Sequence, residues 1–169
     1  GDVYKRQDRC PELSSSSAEY YRSSNWELSA QSYSQLMELK CDQWNSDWVN
    51  VDDVYLYWSI ALQNLGKFEE SEQVLTKGLD ELPENTTLMT RLAYAYKKQG
   101  KIDEMIIEYE RLMDSGSDDT DSLRDLANAY GKQGRVDEQI SVLKKILNID
   151  PNNSSCLLYT SPSPRDATT

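Results

Sequence analysis

Residues 92–100 read LAYAYKKQG and residues 126–134 read LANAYGKQG, and a more divergent form of the same stretch ends at Gly66. Gly66, Gly100 and Gly134 are 34 residues apart, twice in succession. A fixed period of this length is typical of an array of small units, each of which buries its apolar face only by stacking on its neighbours. The period therefore predicts stacked repeats rather than one closed domain.

Each unit is predicted to be a helix, a short turn and a second helix. Between residues 52 and 65 apolar residues recur at spacings of three and four, which gives a helix one buried face. Gly66 ends that helix because glycine adopts the left-handed turn conformation without steric cost. A second stripe starts at Phe68 and stops before Pro83. The predicted helices are 52–65, 68–82, 85–99, 102–114, 119–133 and 136–148.

An imperfect helix pair is predicted upstream, over residues 8–50. Its first helix is expected to be weak, because residues 14–17 are all serine and serine is a poor interior helix former. An insertion within residues 42–50 separates this pair from the first clear unit and contains Trp44 and Trp48. Two roles stay open for these tryptophans: contact with a partner, or covering the end of the array.

This pattern resembles the tetratricopeptide repeat, whose unit also has 34 residues and a glycine turn between its two helices. Residues 92–100 and 126–134 carry the resemblance most strongly. It covers residues 51–153, as three tandem units at about 52–85, 86–119 and 120–153. The resemblance implies an all-α fold, a right-handed α-solenoid of stacked antiparallel helix pairs.

The two terminal segments are expected to be foreign to the natural protein. Residues 1–7 (GDVYKRQ) can be encoded by a string whose reverse complement, read in another frame, encodes CLLYTSP, the sequence of residues 156–162. That string resembles a sequencing adapter. We therefore predict that residues 1–7 and 156–169 are adapter-derived tails, irregular and exposed, and that the gene continues beyond both ends.

The charge balance argues against nucleic acid as a partner. The chain has 18 basic and 29 acidic residues, a net charge of −11. Such a chain repels phosphate backbones. The sequence has no apolar run near the length of a membrane span. Localisation stays open between the cytoplasm and the bacterial periplasm or envelope.

Enzyme chemistry and cofactors are not expected within this fragment. The chain has no histidine, which removes the commonest general base and metal ligand. No glycine-rich phosphate loop and no Cys-x-x-Cys pair is present. The densest acidic cluster, Asp118, Asp119 and Asp121, falls where a helix begins. There carboxylates cap amide groups and favour the helix dipole, so capping is the preferred interpretation and a metal site is not expected.

The resemblance also implies a binding surface, because in this family the first helices of successive repeats line a groove that holds peptides. Transferred to matching positions, the predicted peptide-binding residues are Leu56, Tyr57, Ile60, Arg91, Tyr94, Lys97, Arg124 and Asn128. One end of this set is apolar and aromatic and the other is cationic. It favours a protein or peptide partner with an apolar segment and an acidic segment or C-terminal carboxylate.

The competing interpretation of these residues is a merely structural stack with solvated charges. The family's carboxylate-clamp subtype is disfavoured, since Leu56, Ile60 and Arg91 stand where its first polar members belong. Three function classes remain: an interaction module or scaffold, which the groove favours, the repeat portion of a larger enzyme, and a periplasmic or envelope assembly factor.

Cys10 and Cys41 are a possible disulfide pair. Cys10 lies near the start of the first helix of the imperfect pair and Cys41 at the end of the second. In an antiparallel hairpin those ends are neighbours. A bond would staple the weak serine-rich helix and imply an oxidising compartment. Two unrelated thiols are the alternative.

Overall fold

The protein is all-α in the part of the chain that the structure describes. The computed structural model describes the backbone of residues 2–44 and 49–153, and side chains in these ranges except those of residues 2–7, 42 and 44. Helices account for all the regular structure of these residues. They are α1 (Asp2–Arg22), α2 (Trp26–Glu38), α3 (Cys41–Trp44), α4 (Val51–Asn64), α5 (Phe68–Glu81), α6 (Thr86–Gln99), α7 (Ile102–Asp114), α8 (Thr120–Lys132) and α9 (Val136–Ile149).

The predicted helices of the three clear units are confirmed to within one residue or so at each end. Gly66, Gly100 and Gly134 adopt φ values of +74°, +73° and +72°, the left-handed conformation that closes a helix. At the matching turn between α1 and α2, Ser24 takes φ +58° without being glycine. The period of the glycines therefore located the turns correctly.

Asparagine and aspartate side chains begin the first helix of each clear unit. Asn50, Asn85 and Asp119 each accept a hydrogen bond from a backbone N–H in the first turn of α4, α6 and α8. Asp119 accepts from the amides of both Asp121 and Ser122. The capping interpretation of this acidic cluster is confirmed for Asp119, which satisfies amides that a helix start leaves unpaired.

The described helices form two compact units, residues 1–101 and residues 102–169, called here the N-terminal and C-terminal units. In the N-terminal unit α2 packs against α1 and α4, and α5 packs against α4 and α6. In the C-terminal unit α8 packs against α7 and α9. The short connections within each unit make successive helices antiparallel neighbours, as predicted.

The core of the N-terminal unit is closely packed where α4, α5 and α6 meet. Tyr55 is fully buried, and its hydroxyl donates to Glu81 Oε1 at 2.7 Å. Gly78 lies against this ring: a Cβ built on it would be 2.9 Å from Tyr55 Cγ and 3.1 Å from Leu88 Cδ1. Glycine is required here by close helix packing, not by backbone conformation.

The C-terminal unit buries two tyrosines whose hydroxyls reach carboxylates. The Tyr109 hydroxyl donates to Asp125 Oδ2 at 3.2 Å, and that of Tyr130 donates to Glu110. Burial, followed by these carboxylate neighbours, raises the pKa of both tyrosines far above its usual value. The Arg135 guanidinium lies 4.4 Å from the Tyr130 ring centroid. Both hydroxyls therefore remain protonated donors throughout the physiological pH range.

The prediction of an irregular segment at residues 1–7 is wrong for the backbone of residues 2–7, which forms the first turns of α1. Helix hydrogen bonds are local, so a helix can extend beyond the last residue that makes tertiary contacts. The predicted tail at residues 156–169 and Trp48 of the insertion lie outside the described residues.

The serine run of α1 is helical, although serine lowers helix propensity. Ser16 Oγ donates to the carbonyl of Leu13 at 3.3 Å, and Ser17 Oγ donates to that of Ser14 at 3.0 Å. These bonds satisfy the hydroxyls within the helix itself. Because Ser17 is fully buried, its hydroxyl needs this hydrogen bond in order to pack between helices without an unpaired polar group.

Candidate functional site: the α4/α6 face

Helices α4 and α6 lie side by side and run in the same direction. Asn85, which caps α6, donates from Nδ2 to Asp52 Oδ2 in the first turn of α4 at 3.3 Å. Farther along, Gln63 Nε2 donates to the backbone carbonyl of Arg91 at 3.2 Å. These bonds connect the two helices at their starts and again along their length. The structure thus brings together six predicted site residues on two adjacent helices.

We call this set the α4/α6 face: Leu56, Tyr57, Ile60, Arg91, Tyr94 and Lys97. Leu56, Tyr57 and Ile60 of α4 are half-buried, as are Arg91 and Tyr94 of α6, whereas Lys97 is exposed. Partial exposure is what a binding surface requires, because its side chains must be held by neighbours and still be reachable.

Charge on the α4/α6 side of the unit is separated along the helix axes. Asp52 and Asp53 are exposed in the first turn of α4, and Lys97 and Lys98 are exposed in the last turn of α6. Both placements complement the helix dipoles. Because the helices are parallel, the acidic and basic ends lie at opposite edges, with the apolar side chains between them.

The two aromatic residues of the face are held differently. Tyr94 packs edge-on against Phe68, with ring centroids 6.2 Å apart, and Lys98 Nζ lies 5.4 Å from its centroid. Tyr57 instead contacts the preceding helix pair, with its ring 4.6 Å from that of Tyr21 and 6.4 Å from that of Tyr33. Tyr57 therefore joins an aromatic cluster, completed by Trp26 at 5.5 Å from Tyr21.

Arg91 is the basic residue in the middle of the face. Its side chain is half-buried, and it makes no ion pair with any residue that the structure describes. An unpaired guanidinium presents a planar set of donors suited to a carboxylate.

The remaining predicted residues, Arg124 and Asn128, lie on α8 of the C-terminal unit. Arg124 Nη1 forms an ion pair with Asp121 Oδ1 at 2.7 Å, one turn earlier on the same helix. Asn128 is exposed. Part of the Arg124 charge is therefore already neutralised locally, which sequence position alone did not reveal.

A cavity of about 210 Å³ opens beside Tyr57, between α1, α2 and α4. Its lining includes Ser17, Tyr33, Val49, Asp53, Val54 and Tyr57. Burial raises the pKa of Tyr33 to about 12, opposed by a hydrogen bond with Ser17. Sequence reasoning missed this cavity. The sequence feature that could have indicated it is the pair Tyr21 and Trp26. These residues flank the short α1–α2 connection and bring aromatic side chains toward Tyr57.

Cys10 of α1 and Cys41 of α3 form a disulfide in the structure, with Cα atoms 5.6 Å apart. Both residues are fully buried, in a cluster with Tyr33, Leu36 and Val54. The bond closes a loop across the α1/α2 hairpin, on which the cavity is built.

Two features of other protein classes are missing from the described residues. No group of three or more acidic, cysteine or histidine side chains is arranged to hold a metal ion. The described helices include none with the length and apolarity needed to span a bilayer.

Comparison with known proteins identifies the repeats. The sequence profile described as Tetratricopeptide repeat matches residues 86–115 and 122–153. No curated protein sequence matches the chain.

Solved structures with the same fold include MamA AMB-1, with 20% identity, TM-score 0.66 and coverage of 94% of this chain and 78% of that one. MamA 41-end from Desulfovibrio magneticus RS-1 has 17% identity, TM-score 0.72 and coverage of 88% and 80%. A tetratricopeptide repeat protein from Parabacteroides merdae has 15% identity, TM-score 0.77 and coverage of 89% and 57%. At these identities the likeness shows the fold, an all-α repeat solenoid.

Proposed function

Because residues 86–115 and 122–153 match the tetratricopeptide repeat, we propose that the chain is an interaction scaffold that binds a peptide segment of another protein on the α4/α6 face. Repeat arrays of this kind expose extended surfaces, and their stability does not depend on filling them. An enzymatic role has no residue set to support it among the described side chains. The partner is a protein, and the acidic surface charge argues against nucleic acid.

The observation that carries the proposal is Arg91, which is half-buried, forms no ion pair with any described residue and lies on the helix that also carries the exposed Lys97 and Lys98. A peptide carboxylate placed there gains charge-assisted hydrogen bonds from Arg91 and attraction from Lys97 and Lys98. Apolar residues of the same peptide pack on Leu56 and Ile60. The preferred ligand is therefore a peptide with an acidic segment or free carboxyl end next to an apolar segment.

Charge reversal at Arg91 tests this proposal. The probe is a fluorescent synthetic peptide in which leucines are followed by glutamates and a free C-terminal carboxylate. We expect Arg91→Glu to weaken its binding about 10- to 100-fold, since a hydrogen bond to a charged group contributes about 1.5–3 kcal/mol. Anisotropy titration at low salt gives the Kd, and thermal unfolding shows whether the variant stays folded.

Lys77→Glu is the matched control. Lys77 is exposed on α5, in the same unit but away from the face, so this variant has the same change in net charge. Its binding should stay within about twofold of the wild type. Equal weakening by both variants would reduce the effect to overall charge, and an unchanged Kd for Arg91→Glu would remove the electrostatic half of the proposal.

The disulfide favours a second candidate function, an assembly factor in the bacterial periplasm or envelope. Disulfides persist in oxidising compartments and are rare in the cytosol. Cys10 and Cys41 are both fully buried and lie at a separation normal for a bonded pair. This candidate still uses the α4/α6 face, and it differs from the first in the compartment where binding takes place.

Thiol counting tests the disulfide on which this second candidate rests. The chain has three cysteines, so protein exported to a bacterial periplasm and denatured without reductant should expose one free thiol, that of Cys156. Quantitative alkylation followed by mass spectrometry gives the number directly. Three free thiols would contradict the pairing of Cys10 with Cys41 and leave the envelope candidate without its support.

A further inference from the structure

We propose that the cavity between α1, α2 and α4 binds a basic side chain, lysine or arginine, of the peptide held on the α4/α6 face. This inference rests on the proposed function and adds a second anchor of opposite charge to the one at Arg91. The cavity and Arg91 belong to the same compact unit. The ligand is then a peptide with a basic residue toward the start of α4 and acidic residues toward the end of α6.

The position of Asp53 carries the argument. Asp53 lines the cavity of about 210 Å³ beside Tyr57, and it also lines a second cavity of about 250 Å³ between the starts of α4 and α6. Its side chain is exposed, and within the described part of the chain it forms no ion pair. Asp53 is therefore the carboxylate shared by both cavities, and no basic side chain among the described residues pairs with it.

The walls of the first cavity suit the stem of a long basic side chain. Val49, Val54 and Leu36 provide apolar surface, and the half-buried Tyr57 also lines the cavity. Lysine and arginine side chains bury their methylene stems on such surface while the charged head stays near polar groups. The head would meet the Asp53 carboxylate and the tyrosine rings, whose faces attract cations.

Other occupants fit less well. An acidic side chain would be repelled by Asp53 and by its exposed neighbour Asp52. A purely apolar side chain would fill the hollow but would remove water from the Asp53 carboxylate without replacing its hydrogen bonds, which is unfavourable. The combination of one carboxylate with aromatic and aliphatic walls selects a long cationic side chain.

The aromatic cluster gives this cavity a fixed shape. Tyr57 contacts Tyr21 and Tyr33, and Tyr21 contacts Trp26 edge-on. Tyr33 is almost fully buried. Rings that are packed on several sides lose little freedom when a ligand binds, so the cavity is formed before the peptide arrives.

The test uses three synthetic peptides that differ at one position. Each carries an apolar segment followed by glutamates and a free carboxylate, and the residue before the apolar segment is lysine, norleucine or glutamate. Norleucine keeps the methylene stem of lysine and removes the charge. We expect the wild-type protein to bind the lysine peptide about tenfold more tightly than the norleucine peptide, and the glutamate peptide most weakly.

Asp53→Asn should reduce the preference for lysine over norleucine to within about twofold, because it removes the charge at nearly constant shape. Asp80→Asn is the matched control: Asp80 is exposed on α5 of the same unit, so this variant should keep the full preference. Thermal unfolding should show both variants folded, with the Tm of Asp53→Asn lowered by at most a few degrees because it removes a charge that favours the dipole of α4.

The outcomes separate this inference from the proposed function. Binding of all three peptides with equal affinity, unchanged by Asp53→Asn, overturns the basic-side-chain site and leaves the peptide-binding face intact. Tighter binding of the norleucine peptide also overturns it, in favour of an apolar cavity. If none of the three peptides binds to the wild type or to Arg91→Glu, the peptide-binding face itself is overturned.

Discussion

We expect the double replacement of Cys10 and Cys41 by alanine to lower the free energy of unfolding of the N-terminal unit by about 3–4 kcal/mol. The two residues are 31 positions apart, and closing a loop of that length removes conformational entropy from the unfolded chain by about this amount. The stapled hairpin contains the serine run of α1, which has low helix propensity. Without the covalent link, this part of the unit should unfold first.

The chain provides a selective probe for this experiment. All four tryptophans, Trp26, Trp44, Trp48 and Trp58, belong to the N-terminal unit, so their fluorescence in urea reports on that unit, whereas circular dichroism reports on the whole chain. Reductant should shift the fluorescence transition of the wild type and leave the double variant unchanged. Coincident wild-type transitions with and without reductant would show that the bond does not stabilise the fold.

Gly78→Ala should lower the free energy of unfolding of the N-terminal unit by up to about 2 kcal/mol. The usual cost of overpacking a core is about 1–3 kcal/mol, and the gain in helix propensity from glycine to alanine offsets about 1 kcal/mol of it. The added methyl would lie 2.9 Å from Tyr55 Cγ, and Tyr55 is fully buried with its hydroxyl bonded to Glu81. Because Tyr55 is fully buried, its ring can move aside only by displacing other core side chains.

Gly131→Ala makes the same chemical change with the opposite expected sign. Gly131 is an exposed residue inside α8, and the three atoms nearest to its added methyl all belong to the end of the Gln139 side chain, with Nε2 at 2.6 Å. A flexible amide moves aside at little cost, so the propensity gain of up to about 1 kcal/mol should remain. Urea unfolding of both variants, monitored by circular dichroism, measures the two changes in the free energy of unfolding. Equal destabilisation by Gly78→Ala and Gly131→Ala would contradict the expected difference in sign.

The sequence predicted the fold well because the 34-residue period reports turns and buried faces at once. Each glycine of the period ends a helix, and the stripe that follows begins the next one at Phe68, Ile102 and Val136. The start of α1 was missed because nothing repeats there. The hydrogen bonds of a helix are local, and no spacing of apolar residues reveals how far they extend.

The candidate site was predicted only in part, since its geometry depends on tertiary contacts. The period placed Leu56, Tyr57 and Arg91 on neighbouring first helices, which the structure brings together. It did not reveal that Tyr57 turns toward Tyr21 and Tyr33, because the α1/α2 pair repeats imperfectly. The separation of acidic and basic ends along the helix axes became visible only with both helices side by side.

At the three repeat turns, glycine is required by the left-handed backbone conformation and not by a lack of space for a side chain. At Gly66, Gly100 and Gly134 the backbone has positive φ, yet a Cβ added there would meet nothing within 4 Å. An L-alanine would fit the space and still cost about 1–2 kcal/mol through its backbone. A D-alanine, the mirror-image residue, prefers this very conformation and would restrict the unfolded chain, adding about 0.4–1 kcal/mol per turn. Chemical synthesis with D-residues at these positions should therefore yield a more stable scaffold that keeps every natural side chain.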